Sequence, residues 1–212
     1  MKIAINGLGR IGRAFLKLVV ERPEIEVVAI NDLGDLDNLA YLLKYDSVYG
    51  RYHRQVSMEP GFLVIENKKI KFLQEKDPTK LPWKDLGVDI VVESTGVFET
   101  FEKAQAHITA GAKRVVITAP SKDDDLSLKL GTTSLCGLNE ESFAKVKITS
   151  NGSCTTNAVA PVMAILSETL GIKKALLNTT HAYTASQKIV DGPDTKDWRR
   201  GRAGAINLVP ST

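Results

Sequence analysis

Lys2-Ile3-Ala4-Ile5-Asn6-Gly7-Leu8-Gly9-Arg10-Ile11-Gly12 is the stretch on which the fold of this chain turns. Its first five residues have the apolar character of a buried strand. The next six read Gly-x-Gly-x-x-Gly, and Arg13 to Glu21 carries helical spacing. Strand, glycine turn and helix follow in the order that a dinucleotide-binding βαβ unit requires. Gly7 permits the tight turn, Gly9 lets the backbone approach a pyrophosphate, and Gly12 lets the helix lie close against the strand. A second strand, Glu26 to Ile30, ends at Asn31-Asp32. Asp32 stands about 20 residues past the last glycine, where this fingerprint has its acidic residue. A carboxylate there accepts both ribose hydroxyls of an adenosine and repels a 2′-phosphate, which favours NAD over NADP.

Working outward, Asp37 to Lys44 reads as a helix and Tyr45 to Arg54 as a loop. Phe62 to Ile65 and Lys69 to Leu73 predict a hairpin around Glu66-Asn67-Lys68. Val88 to Glu93 is another buried strand. It ends in Ser94-Thr95-Gly96, at the carboxyl edge where doubly wound sheets hold ligands. Phe101 to Ala110 reads as a helix closed by Gly111, and Arg114 to Thr118 as a fourth parallel strand. This alternation predicts an α/β class domain over residues 1–152, a Rossmann-type doubly wound parallel sheet.

A second corner follows at Ser150-Asn151-Gly152-Ser153-Cys154-Thr155-Thr156-Asn157, between the alternating Val146 to Thr149 and the apolar run Ala158 to Leu170. If Ser153 or Cys154 opens the helix, its unpaired N–H groups and the positive end of its dipole face the sulfur and favour a nucleophilic thiolate. These residues alone leave two readings open: a capped helix start followed by a buried cysteine, and an activated thiol beside an anion-holding turn. Pro161 should sit near the helix start or kink it, and Gly171 ends it. Ala175 to Tyr183 alternates as a strand whose end presents His181. Thr184 to Pro210 is a polar loop, rich in Gly and Arg, of the functional or interface kind.

The 212 residues are 43% hydrophobic and 25% charged, enough to bury a core, with a formal net charge of +3. Positive residues are dispersed except at Arg199, Arg200 and Arg202, so nucleic acid is not expected as the primary partner. No apolar run approaches a membrane span, Met1 to Asn6 reads as a strand rather than a leader, and only Cys136 and Cys154 occur. A reducing, cytoplasmic setting is the expectation. Ser121 to Asp125 reads as a solvated loop and not a metal site, because its consecutive aspartates lack ligand spacing. His53 and His107 read as structural. Cys136 has no charged partner in view and reads as an inert buried or strand residue.

Taken together, Ile5 to Arg13, Ala29-Ile30-Asn31-Asp32, Leu42 to Ser47, Ser94 to Phe98, Ser153 to Asn157 and His181-Ala182-Tyr183-Thr184 resemble, in order, the motifs of phosphorylating glyceraldehyde-3-phosphate dehydrogenases. The resemblance covers essentially all 212 residues. It implies Cys154 as nucleophile and His181 as its general base. It implies Gly7, Gly9, Arg10, Ile11, Gly12, Asp32, Thr95, Gly96 and Thr118 at the NAD site. Thr184 and Arg200 would hold the substrate phosphate, and Ser153 and Thr155 the attacking phosphate; no metal is implied. The partners would be glyceraldehyde 3-phosphate and inorganic phosphate, within a homotetramer at full length, and the activity NAD-dependent oxidation to 1,3-bisphosphoglycerate through a Cys154 thioester.

Leu33 and Pro193 resemble the residues of NAD-preferring members. Gly152 replaces the usual Ala and is expected to loosen the corner. Lys76 replaces an Arg, and Ala158 replaces a second cysteine. Relatives continue beyond a stretch like Leu208 to Thr212, so residues 153–212 would be the first part of an α+β catalytic domain, and the chain a fragment that does not turn over alone. Two alternatives remain at this level: a dehydrogenase of erythrose 4-phosphate, and a non-catalytic NAD- or RNA-binding fragment.

Overall fold

The computed structural model describes residues 1–123 and 130–210. Asp124 and Asp125 of the expected solvated loop, and the terminal Ser211 and Thr212, lie outside the described residues. Two compact units are present, Met1–Gly171 and Ile172–Thr212.

The first unit is built on a nine-stranded sheet. Its centre is β1 (Lys2–Asn6), flanked in parallel by β2 (Glu26–Asn31) and β8 (Ile90–Glu93). From there β9 (Arg114–Ile117), β11 (Ile148–Ser150) and β10 (Gly131–Thr133) continue the parallel sheet on one side. On the other side β7 (Lys68–Leu73) pairs parallel to β2, and β6 (Phe62–Ile65) and β5 (Val56–Glu59) follow antiparallel.

Period-two alternation along β1 explains the two layers of helices. Ile3 and Ile5 join the core made with Leu16 and Val19 of α1 (Arg10–Val19) and Leu39 and Leu43 of α2 (Leu36–Lys44). Ala4 joins a second core with Trp83, Val91 and Val115, and with Phe101 and Ala104 of α3 (Phe101–Thr109). The chain passes from β1 to β2 on one side and later returns to β8 on the other. This makes its carboxyl end a topological switch point, the place where open α/β sheets bind ligands.

Several elements differ from expectation for local reasons. Helix α1 begins at Arg10 rather than Arg13, with Gly9 as its N-cap, so Gly12 is helical. The supposed loop after α2 is a small hairpin of β3 (Tyr45–Asp46) and β4 (Gly50–Arg51). Asp46 accepts the turn's Val48 and Tyr49 N–H groups at 2.8 and 3.0 Å, and Gly50 takes the positive φ of 74°. Helix α4 (Cys154–Thr169) starts at Cys154, one of the two openings expected at the corner, so Pro161 lies inside it rather than near its start. In the second unit, residues 175–183 form no strand. A strand needs a neighbouring strand to take its N–H and C=O groups, and among the described residues no strand pairs with this segment. Leu176 is consequently 97% exposed.

Candidate active site

The glycine turn between β1 and α1 is shaped by what a side chain would hit. A Cβ on Gly7, whose φ is +95°, would lie 2.7 Å from Thr95 N, and one on Gly12 would lie 2.0 Å from the Gly7 carbonyl oxygen. At Gly9 it would meet nothing within 4 Å, so that face is open. Leu8 is held at both of its backbone polar groups. Its N–H donates to Asp32 Oδ2 at 2.6 Å, and its carbonyl accepts from Arg13 Nη1 at 2.9 Å.

Gly34 N donates to the other Asp32 oxygen at 2.8 Å. A carboxylate has about four lone-pair sites, so Asp32 keeps acceptor capacity for ribose hydroxyls. The N-cap Gly9 offers α1 no side-chain cap, leaving the helix's first N–H groups available to an anion. Open space at Gly9, uncapped donors and the Asp32 acceptor together fit a dinucleotide.

Around this cradle, Arg10 pairs with Asp46 at 3.0 Å, and Ile11 is exposed. The Tyr49 and Val48 N–H groups, with Arg10 adding to them, hold the Asp46 carboxyl down to about 2. Thr95 and Gly96 are exposed just past β8, Gly96 with a φ of +72°. Thr118, just past β9, donates from N and Oγ1 to the Glu93 carbonyl at 3.0 and 3.1 Å, so its hydroxyl stitches β9 to β8.

The thiol corner follows β11 on the same carboxyl edge of the sheet. Ser153 is the N-cap of α4: its Oγ accepts from Thr156 N at 2.9 Å and lies 2.8 Å from Thr156 Oγ1. Cys154 is the first helical residue and is exposed, with Thr155 half-buried beside it. Asn157 Nδ2 ties the corner by donating to Asn151 O at 2.7 Å and Ser153 O at 2.9 Å. Gly152 has a φ of +67° and a Cβ there would meet Thr156 Cγ2 at 3.0 Å. Glycine therefore does not loosen the corner but makes a left-handed turn that Ala would strain.

Three more sequence candidates belong to the second unit. His181 is exposed, with Nδ1 2.6 Å from the Ala182 carbonyl oxygen. A carbonyl only accepts, so Nδ1 carries the proton and Nε2 is the basic nitrogen of the neutral ring. Thr184 Oγ1 lies 3.1 Å from Ser186 Oγ, and its N–H donates to Gln187 Oε1 at 2.7 Å. Arg200 sits half-buried in a 3₁₀ turn, Trp198–Gly201, opened by Asp197. Its neighbours in the basic cluster are ion-paired, Arg199 to Asp197 at 2.7 Å and Arg202 to Asp191 at 3.2 Å. Among the described residues no three His, Cys, Asp or Glu side chains gather to hold a metal, and no helix is long and apolar enough to cross a membrane.

Residues 1–101 match the family model for the glyceraldehyde 3-phosphate dehydrogenase NAD binding domain, and residues 153–212 the model for that family's C-terminal domain. The chain belongs to the glyceraldehyde-3-phosphate dehydrogenase family. Similar members include glyceraldehyde-3-phosphate dehydrogenase 1 of Kluyveromyces marxianus, 50% identical over the whole chain and 63% of the relative's length. The enzyme of Eremothecium gossypii is 49% identical and glyceraldehyde-3-phosphate dehydrogenase A of Escherichia coli K12 is 48% identical, each covered over 62% of its length. The chain thus spans 62 to 63% of the length of these relatives.

Within this member of the family, three polar residues near the site escaped sequence reasoning. Arg13 is buried, has an unpartnered Nε and holds Leu8; burial, helped by neighbouring Arg10, pulls its guanidinium below the usual range. Asp46 anchors Arg10. Glu93 is 2% exposed at the end of β8, and its signal was an ionisable residue closing the apolar run Ile90-Val91-Val92.

Cys136 is a correction, because it is exposed rather than buried and its thiol donates to Glu140 Oε1 at 3.1 Å. That hydrogen bond and the carboxylate's charge raise the thiol above its ordinary value. Glu140→Gln removes the charge that disfavours thiolate, and is expected to speed iodoacetamide alkylation of Cys136 several-fold at neutral pH while the rate at Cys154 stays unchanged. Peptide mass spectrometry over a time course measures both rates, and an unaltered Cys136 rate would count against this pairing.

Proposed function

We propose that the enzyme carrying this chain catalyses NAD-dependent oxidative phosphorylation of glyceraldehyde 3-phosphate to 1,3-bisphosphoglycerate. In this reading, residues 1–152 form its dinucleotide-binding domain and 153–212 the first part of its catalytic domain. The observation that carries the reading is Cys154 at the start of α4, on the same carboxyl sheet edge as the Gly7 to Gly12 cradle. Their strands are three spacings apart, about 14 Å at roughly 4.8 Å per strand. A dinucleotide that lies along the edge can cover that distance.

In the proposed mechanism the Cys154 thiolate, favoured by the helix terminus, adds to the aldehyde carbon, and the carbonyl π bond opens to an alkoxide. The alkoxide takes up the proton that the thiol gave up on ionising, which makes the hemithioacetal hydroxyl. His181 Nε2 takes the hydroxyl proton as the carbon is oxidised to a thioester. NAD, when bound, supplies the hydride acceptor. Inorganic phosphate then attacks the thioester carbon, and the C–S bond breaks to return the thiolate and release the acyl phosphate. Thr184 and Arg200 hold the substrate phosphate; a guanidinium suits this because it binds phosphate oxygens bidentately. Thr155 and Ser153 serve the attacking phosphate. The Ser153 hydroxyl accepts from Thr156 N in the cap and shares a hydrogen bond with the Thr156 hydroxyl, which holds it at the mouth of the helix. The enzyme is proposed to be cytoplasmic and homotetrameric.

The test supplies the enzyme with glyceraldehyde 3-phosphate, NAD and inorganic phosphate, with erythrose 4-phosphate as the comparison aldehyde. Phosphate-dependent NADH formation that is faster with the three-carbon substrate is the expected result. Preference for the four-carbon sugar would reassign the substrate. Stoichiometric iodoacetate labelling of Cys154 without turnover on either aldehyde would reject the activity.

A further inference from the structure

Glu93 is a carboxylate with its bonding capacity filled, half from inside the core and half from the rim of the cradle. Oε2 accepts from Asn6 Nδ2 at 2.6 Å and lies 3.0 Å from His107 Nε2. Oε1 accepts from Thr95 N at 2.8 Å and from the Thr95 hydroxyl.

The inner partners are themselves aimed. Trp83 Nε1, which can only donate, bonds His107 Nδ1 at 3.1 Å, so the His107 proton sits on Nε2 and points at Glu93. Asn31 Nδ2 donates to Asn6 Oδ1 at 2.7 Å, which turns the Asn6 amide so that its Nδ2 faces Glu93. Glu75 N in turn donates to Asn31 Oδ1 at 2.8 Å and fixes that amide. Trp83, His107, Asn6 and Asn31 are all buried, whereas Thr95 is exposed.

For stability alone this is a poor arrangement, because burying a carboxylate costs several kcal/mol that an apolar residue would avoid. What it achieves is position. Thr95 N would lie 2.7 Å from a Cβ on Gly7, and Ser94 Oγ donates to the Gly7 carbonyl at 2.7 Å. The loop after β8 is thereby fastened to the glycine turn from both sides. We propose that Glu93, aimed by Trp83 and His107, is a positioning residue that locks the Thr95 rim to the Asn6–Gly7 turn and so sets dinucleotide affinity. The inference rests on the reading that this cradle binds NAD.

Glu93→Gln tests it. A glutamine amide nitrogen pointed at Asn6 and His107 meets two donors. Pointed at Thr95, it meets one N–H and a hydroxyl able to accept. The second orientation is the less costly, so it keeps the inner bonds and releases the rim.

NAD affinity is to be measured by calorimetry on the 212-residue chain, at a temperature where both proteins are folded by circular dichroism. A roughly tenfold or greater loss of affinity in Glu93→Gln is expected. A purely structural role would lower the melting temperature and leave the affinity of the folded protein alone, so binding within twofold of wild type overturns the proposal. Amide hydrogen exchange on the wild type gives a second reading that needs no variant. Thr95 N–H should be protected despite its exposure, and exchange at the rate of an open loop overturns the link to Glu93. Failure of the wild-type chain to bind NAD, with Thr95 still protected, would count against the cofactor reading instead and leave the link standing.

Discussion

Gly12→Ala is expected to abolish measurable dinucleotide binding and to destabilise the first unit by about 3 kcal/mol or more. The added Cβ would sit 2.0 Å from the Gly7 carbonyl oxygen and 3.1 Å from its carbonyl carbon. Both are backbone atoms, so no rotamer change relieves the clash and α1 must move off the turn. Alanine gains about 1 kcal/mol of helix propensity, which is small against overpacking costs of about 1–3 kcal/mol, occasionally more, where side chains can still adjust. At roughly 2–4 °C per kcal/mol for a domain of this size, the melting temperature should fall by about 6–12 °C. Gly9→Ala is the control, because its Cβ meets nothing within 4 Å of the protein. It should melt with the wild type and lose affinity only through contact with the ligand. Equal melting temperatures and equal NAD affinities for all three proteins would refute this account of the turn.

Cys154→Ser is the second large effect. In the enzyme carrying this chain, kcat for aldehyde oxidation should fall by roughly 10⁴- to 10⁶-fold, the scale seen when a covalent nucleophile is removed. NAD affinity and melting temperature should hold, since Cys154 is exposed at the first turn of α4, a position that tolerates serine. Stopped-flow absorbance at NADH wavelengths measures the rate, and a loss of less than about tenfold would remove Cys154 from the nucleophile's role.

What could be read from the sequence was whatever is local in the chain. The turn from Asn6 to Gly12, the acidic residue just past β2 and the apolar strands β1, β2, β8 and β9 each depend on a few consecutive residues, and each is present. The thiol corner was legible in part: Ser153 caps α4, while Cys154 is exposed where one of the two readings had it buried. Elements without an apolar run were missed: β3, β4 and β10 are two or three residues long, and the Val56-Ser57-Met58-Glu59 of β5 lacks the continuous apolar stretch that marks β6 and β8. The strand expected at residues 175–183 had the right alternation, but a strand depends on its neighbour, which a pattern along one segment does not reveal. The buried hydrogen-bond network needed the fold itself, since Asn6, Glu93 and His107 are distant in sequence and meet only across adjacent strands and α3. Glu140 was near enough to Cys136 to be suspected. The 3₁₀ turn that brings it within reach of the sulfur was not anticipated.

The central place of β1 also sets a schedule for synthesis. This strand leaves the ribosome before β8, and Asn6 meets Glu93 across a separation of 87 residues. At roughly 5–20 residues per second, one flank of the nascent β1 stays unpaired for about 4–17 s. During that interval Ile3 and Ile5 present a bare edge beside β2. Chaperone capture and aggregation of the unfinished chain should therefore concentrate on nascent lengths short of β8, and ease once Ile90 to Glu93 have emerged.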